Sequence, residues 1–170
     1  MIQRVQGSAG VKLIECVNPL KDKWKVRWDV RVTETGGADY MEADFDHRPS
    51  EGEVRDVVVG WVNSQTDGRI LSGFVWKGME VWLSTENQFN YKSAYDLAVQ
   101  TGGASLPVRF KFGTDEHPVY HEFTDLDELG DFYRGCVAYV QDVLENGWRM
   151  KDGMDFSVYG TESEGGADIV

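Results

Sequence analysis

The sequence predicts an α+β fold of three sequential ββα units, antiparallel hairpins packed against about three helices. Three observations carry this. Runs with a two-residue apolar/polar alternation come in pairs joined by turn residues, each pair is followed by a segment of 3.6-residue period, and that order recurs along 170 residues. The repeat lies in the pattern, because the three units share no clear residue identity.

In the first unit Trp24, Val26, Trp28, Val30 and Val32 alternate with Lys25, Arg27, Asp29 and Arg31, which reads as a half-buried strand. After Thr35-Gly36-Gly37, Met41, Ala43 and Phe45 alternate with Glu42, Asp44 and Asp46, completing a hairpin in which Arg31 meets Glu42 and Arg27 meets Asp46. Ser50-Glu51-Gly52-Glu53 is a capping box, and Val54, Val57, Val58, Trp61 and Val62 fall on one helical face. Thr66-Asp67-Gly68 reads as the turn that ends the unit.

The second unit runs from Ile70 through Trp76, turns at Lys77-Gly78 and returns from Met79 to Leu83, setting Trp82 opposite Gly73. Thr85-Glu86-Asn87-Gln88 opens its helix, Tyr91, Ala94, Tyr95 and Ala98 form the buried face, and Gly102-Gly103 stops it. The third unit has strands over 107–112 and 119–123 around the turn Gly113-Thr114-Asp115-Glu116. Its helix enters at Thr124-Asp125-Leu126-Asp127, presents Leu129, Tyr133, Cys136, Val137, Val140 and Leu144 to the core, and ends at Gly147. Residues 1–20 show weak periodicity. The chain thus divides into 1–67 (N-terminal segment plus first unit), 68–155 (the ββαββα region) and 156–170, an acidic tail expected to be mobile and to order only against a partner.

With 17 Lys and Arg against 29 Asp and Glu, the net charge is −12, while 41% hydrophobic and 12% aromatic residues supply a real core. Such a field repels polyanions, so direct nucleic-acid binding and a basic membrane anchor are excluded as expectations. The apolar run at 57–62 is far short of the roughly 20 residues that span a bilayer. The opening residues lack the continuous apolar stretch of a secretory signal, which makes a cytoplasm the expected place of synthesis. Cys16 and Cys136 allow one bridge at most, and Cys136 on an apolar helix face reads as a buried thiol.

Catalytic chemistry is not legible. His117 and His121 have the spacing of some zinc sites, but in a strand they lie about 13 Å apart. Asp44 and Asp46 with His47, and Asp29 opposite Asp44, outline a cation site, although Arg27 and Arg31 already offer charge partners. The chain carries no Gly-rich phosphate loop, G-x-S-x-G elbow, C-x-x-C pair or H-E-x-x-H helix. We therefore expect no catalytic, metal or cofactor residues. Asn87, Gln88 and Asn90 read as helix-capping groups.

Binding potential lies in six Trp and seven Tyr, since such rings stack on sugars or anchor protein interfaces. Trp24, Trp28, Trp61 and Trp76 sit at core-phase positions, leaving Trp82 and Trp148 as the interface rings. Acidic residues not answered on the first hairpin gather at Asp115, Glu116, Asp125, Asp127, Glu128 and Asp131 and in the tail, and these join the two Trp as candidate interface residues.

The segment Arg69-Ile70-Leu71-Ser72-Gly73-Phe74-Val75-Trp76-Lys77-Gly78 resembles the opening of a domain of unknown function found in bacteriophage tail-fibre and other tail-associated proteins. There Ile precedes Gly-Phe, an aromatic, a turn residue and Gly. The polar stretch 84–90, the strand and acidic turn at 112–116, the helix start at 124–129 and Lys151-Asp152 follow in the same order, so the resemblance covers about residues 69–155. Lys77 departs from the Asn or Asp usual in that turn, and the first unit lies outside the match. The resemblance implies a phage or prophage origin and a place among virion tail proteins; it carries no established catalytic residues.

The leading expectation is a non-enzymatic structural or accessory protein of a phage tail, made in a bacterial host, that docks onto other virion proteins or a second copy of itself. An acidic inhibitor of a host defence protein, acting as a nucleic-acid mimic, is the alternative that the net charge suggests. A third is a carbohydrate-binding module, which needs Trp82 and Trp148 exposed together in a groove.

Overall fold

The computed structural model describes residues 1–34 and 36–160, which form eight strands and four α-helices. The fold is α+β with antiparallel sheets. It comprises two compact units, Met1–Trp61 together with the segment from Met154, and Val62–Gly153.

The first unit holds β1 (Ile2–Ser8), β2 (Ile14–Asn18), β3 (Lys23–Val32) and β4 (Gly37–Phe45) in the sheet order β1-β4-β3-β2. The weakly periodic N-terminus is therefore structured: it supplies both edge strands. Nearly every β1 side chain is exposed, so no apolar alternation marks it in the sequence.

The expected register is corrected. Arg27 pairs with Glu42, Lys25 with Asp44 and Arg31 with Asp39, while Lys23 reaches Asp46. A bulge between Trp28 and Arg31, with Asp29 at φ 50°, inserts one residue and swaps the face of everything beyond it. Arg31 and Arg4 then converge on Asp29, and Asp44 faces Lys25 rather than Asp29.

Val26, Trp28, Met41 and Ala43 bury one sheet face against Val54 and Val58 of α1 (Glu51–Ser72) and against Phe156 and Tyr159. Tyr159 lies in the short α4 (Ser157–Gly160), and its hydroxyl donates to the Arg27 carbonyl at 2.8 Å. Residues 156–160, assigned above to a mobile tail, are thus ordered, and Phe156 and Tyr159 are core; residues 161–170 lie outside the described residues. The capping box forms as expected, with Ser50 N–H donating to Glu53 at 2.9 Å and Glu53 N–H to Ser50 Oγ at 3.3 Å.

The helix α1 does not stop at Thr66-Asp67-Gly68 but continues to Ser72. Along its polar stretch Thr66 and Ser72 return their hydroxyls to the carbonyls of Val62 and Gly68, and Thr66 seats on Gly147. Ile70, Leu71 and Ser72 are consequently helical, and the second hairpin shrinks to β5 (Phe74–Trp76) and β6 (Met79–Val81). The ring over Gly73 belongs to Tyr139, whose hydroxyl donates to the Arg69 carbonyl at 2.7 Å, and not to Trp82.

The second unit continues with α2 (Thr85–Gln100), β7 (Val108–Gly113), β8 (Pro118–Phe123) and α3 (Leu126–Asp152). Gly102 and Gly103 end α2 at φ 60° and 88°, with Gly103 N–H reaching back to Ala98 and Gly102 N–H to Val99, the Schellman pattern. Gly147 does not end α3; it is buried in mid-helix because a side chain there would collide with Thr66 Oγ1, 2.5 Å from a Cβ. The core is aromatic: the Phe132 ring lies 5.0 Å from Tyr91, 5.2 Å from Phe123 and 5.3 Å from both Trp76 and Phe112. Burial pushes the Tyr91 hydroxyl up to about 12.

Candidate interaction site

Two surface concavities of the second unit hold the groups with binding chemistry. The first sits where β6 passes into α2. Val81 and Leu83 point inward, so alternation turns Trp82 outward with half its surface in solvent. Asn87 Nδ2 donates to the Trp82 carbonyl and Gln88 Nε2 to the Leu83 carbonyl, each at 2.8 Å. These amides, expected as capping groups, tie the helix start to the strand before it, while Ser84 is the N-cap itself. Trp82 lines a cavity of about 320 Å³ with Ser72, Glu80, Asn87, Lys111, Thr114 and Asp115. Lys111 and Asp115 pair at 2.8 Å, which raises the lysine pKa and lowers that of the aspartate, mainly through the hydrogen bond between them.

The second concavity is an apolar groove of about 300 Å³ between α2 and α3, lined by Phe89, Tyr91, Tyr133, Val137 and Val140 with Cys136 among them. Phe89 is 68% exposed and Val137 51%. Val137, expected on the core face, lies outside it because the buried stripe runs through Leu129, Phe132, Cys136, Val143 and Gly147. Burial pushes the Cys136 thiol up to about 12, which disfavours its thiolate; Cys16 and Cys136 are both free thiols.

Trp148 is exposed as expected, but it lines a separate cavity with Asn63, Thr66, Asp67 and Lys151. The two Trp therefore do not share one groove, and the two-ring carbohydrate-binding face expected from the sequence is not formed. Among the acidic residues, Asp125 is the N-cap of α3, accepting from the N–H groups of Asp127 and Glu128. Glu128 is answered by Lys77 at 2.7 Å and His121 at 3.3 Å, and the Lys77 hydrogen bond leads in holding its pKa below the usual range. Asp131 lies 4.0 Å from Arg134, and Glu116 is exposed in the turn before β8. Asp115, Asp125 and Glu128 are thus used within the fold.

The α2–α3 groove was not legible as a site. Its signal is Phe89, an apolar residue off the Tyr91–Ala98 stripe of its helix.

Among the described residues no helix is long and apolar enough to cross a membrane, and no group of three or more His, Cys, Asp or Glu is arranged to hold a metal ion. Comparison with family models, curated proteins and solved structures returned no match.

Proposed function

We propose that this chain is a non-enzymatic bacteriophage or prophage protein, tail-associated, that docks through the α2–α3 groove onto another virion subunit after synthesis in the bacterial cytoplasm. The phage context rests on the resemblance over residues 69–155. The observation that carries docking is the exposure of Phe89 and Val137 over a core already filled beneath them, which leaves apolar surface without an internal use. The occupant is a segment of a different protein offering apolar side chains in a basic frame. A second copy of this chain brings another −12 and is opposed by repulsion.

Mass spectrometry of purified virions from the source phage tests the reading. The chain is expected among the tail proteins at a fixed ratio to them; its absence from particles overturns the structural role. Val137→Asp, a change on exposed surface, is expected to keep the fold and to deplete the chain from particles.

A further inference from the structure

The cavity beside Trp82 has the composition of a sugar site, and it stands apart from the docking groove in its residues. Two features make it more than an exposed ring. The backbone that carries Trp82 is held from both sides, by Asn87 and Gln88 of α2 and by the Leu83 N–H, which donates to the Leu71 carbonyl at 2.9 Å. An outward aromatic on a fixed backbone offers an apolar plate whose main chain needs no ordering on binding.

The remaining wall is polar and mixed. Glu80 and Asp115 supply carboxylate acceptors, Lys111 an ammonium with donors beyond the one given to Asp115, Asn87 a carbonyl oxygen, and Ser72 and Thr114 hydroxyls. A pyranose has the complementary surface: a C–H face that stacks on an aromatic ring and a rim of hydroxyls that both donate and accept. At about 320 Å³ the cavity lies at the small end of the range of roughly 300–1,000 Å³ for small-molecule sites, which suits a terminal sugar and not a long chain. Two carboxylates against one ammonium leave a local negative excess that disfavours acidic sugars.

The geometry points to this cavity as a binding site for a neutral hexose or N-acetylhexosamine unit, its ring stacked on Trp82 and its hydroxyls held by Lys111, Asp115 and Glu80. Trp148 takes no part.

The test is a titration of the full chain, labelled with nitrogen-15, with maltose, lactose, cellobiose and chitobiose, following the indole N–H signals. At least one sugar is expected to shift the Trp82 signal saturably, with a Kd on the order of 1 mM. Trp82→Ala abolishes binding, Lys111→Met weakens it roughly tenfold through loss of a charged hydrogen bond, and Trp148→Ala leaves it unchanged. Both Trp82 and Lys111 are surface residues, so unchanged melting temperatures of the variants serve as the folding control. No saturable shift with any of the four sugars, equal loss in Trp148→Ala, or an equally strong response to glucuronate overturns the inference. The docking reading survives any of these results, because its groove shares no residue with this cavity.

Discussion

In the first unit the buried charge belongs to Arg27 and Glu42, joined at 2.8 Å, with Glu15 and Lys25 completing the network and the Arg27 guanidinium lying over Tyr40. In the second unit the corresponding depth is filled by rings, Trp76, Tyr91, Phe112, Phe123 and Phe132 among them. Burial alone would raise the Glu42 pKa, but the Lys25 and Arg27 hydrogen bonds and charges outweigh it and hold the carboxylate below its usual range. Charge in the first unit is paired across matched strand positions, Arg27 with Glu42 and Lys25 with Asp44. The second unit, held by nondirectional ring packing, needs no such network and leaves Phe89, Val137 and Trp82 outside its core. The proposed docking is placed in the second unit because Phe89 and Val137 line one groove there; exposure alone does not separate the units, since Leu20 and Val32 of the first are exposed as well.

The largest expected effect is on the aromatic core. Phe132→Ala removes a fully buried ring with five aromatic neighbours and is expected to cost about 3–5 kcal/mol in urea unfolding. A cost no greater than that of Val58→Ala, in the mixed aliphatic and aromatic core of the first unit, would break the contrast.

Next comes the buried ion pair. Glu42→Ala strands Arg27 with only Glu15 and the Lys12 carbonyl, and a loss of about 3 kcal/mol is expected by the same measurement. The double variant Arg27→Met, Glu42→Leu should recover most of that stability, showing that the pair specifies register more than it stabilises.

Smaller is the contact between α1 and α3 at Gly147. Gly147→Ala pushes a Cβ into Thr66 and is expected to cost about 1–3 kcal/mol, while adding Thr66→Ala restores most of it. Additive losses in that double variant would contradict the close approach.

The smallest effect concerns the capping box. Backbone and side-chain hydrogen bonds from Ser50, with His47 adding to them, lower the Glu53 pKa from an ordinary 4.5 to about 2. A depressed carboxylate contributes stability that is fully present above about 4.5 and is lost as the pH falls through about 2. Melting temperatures of the wild type and Glu53→Gln should therefore converge across that window; a constant gap would contradict the sign.

Much of this was legible in the chain. Period and capping signals placed the β3–β4 hairpin, all three long helices and the Gly102-Gly103 stop, because each rests on neighbours close in sequence. What failed depends on partners far away. The edge strand β1 shows no alternation, Thr66-Asp67-Gly68 looks like a turn until Gly147 receives Thr66, and the bulge at Asp29 is invisible to an alternation that appears unbroken. The same limit applied to the site. Trp82 and Asp115 could be named individually, but only the folded hairpins bring them to one cavity, and Val137 could not be told from its buried neighbours without the true face of α3.

The central claim, that the α2–α3 groove docks onto another virion subunit, is met most directly by photo-cross-linking in assembled particles. A benzophenone amino acid placed at position 137 should join this chain to one tail protein, whereas the same group at the exposed position 20 should not. Particles that contain the chain but show no cross-link from position 137, or show the same cross-link from both positions, would contradict the account.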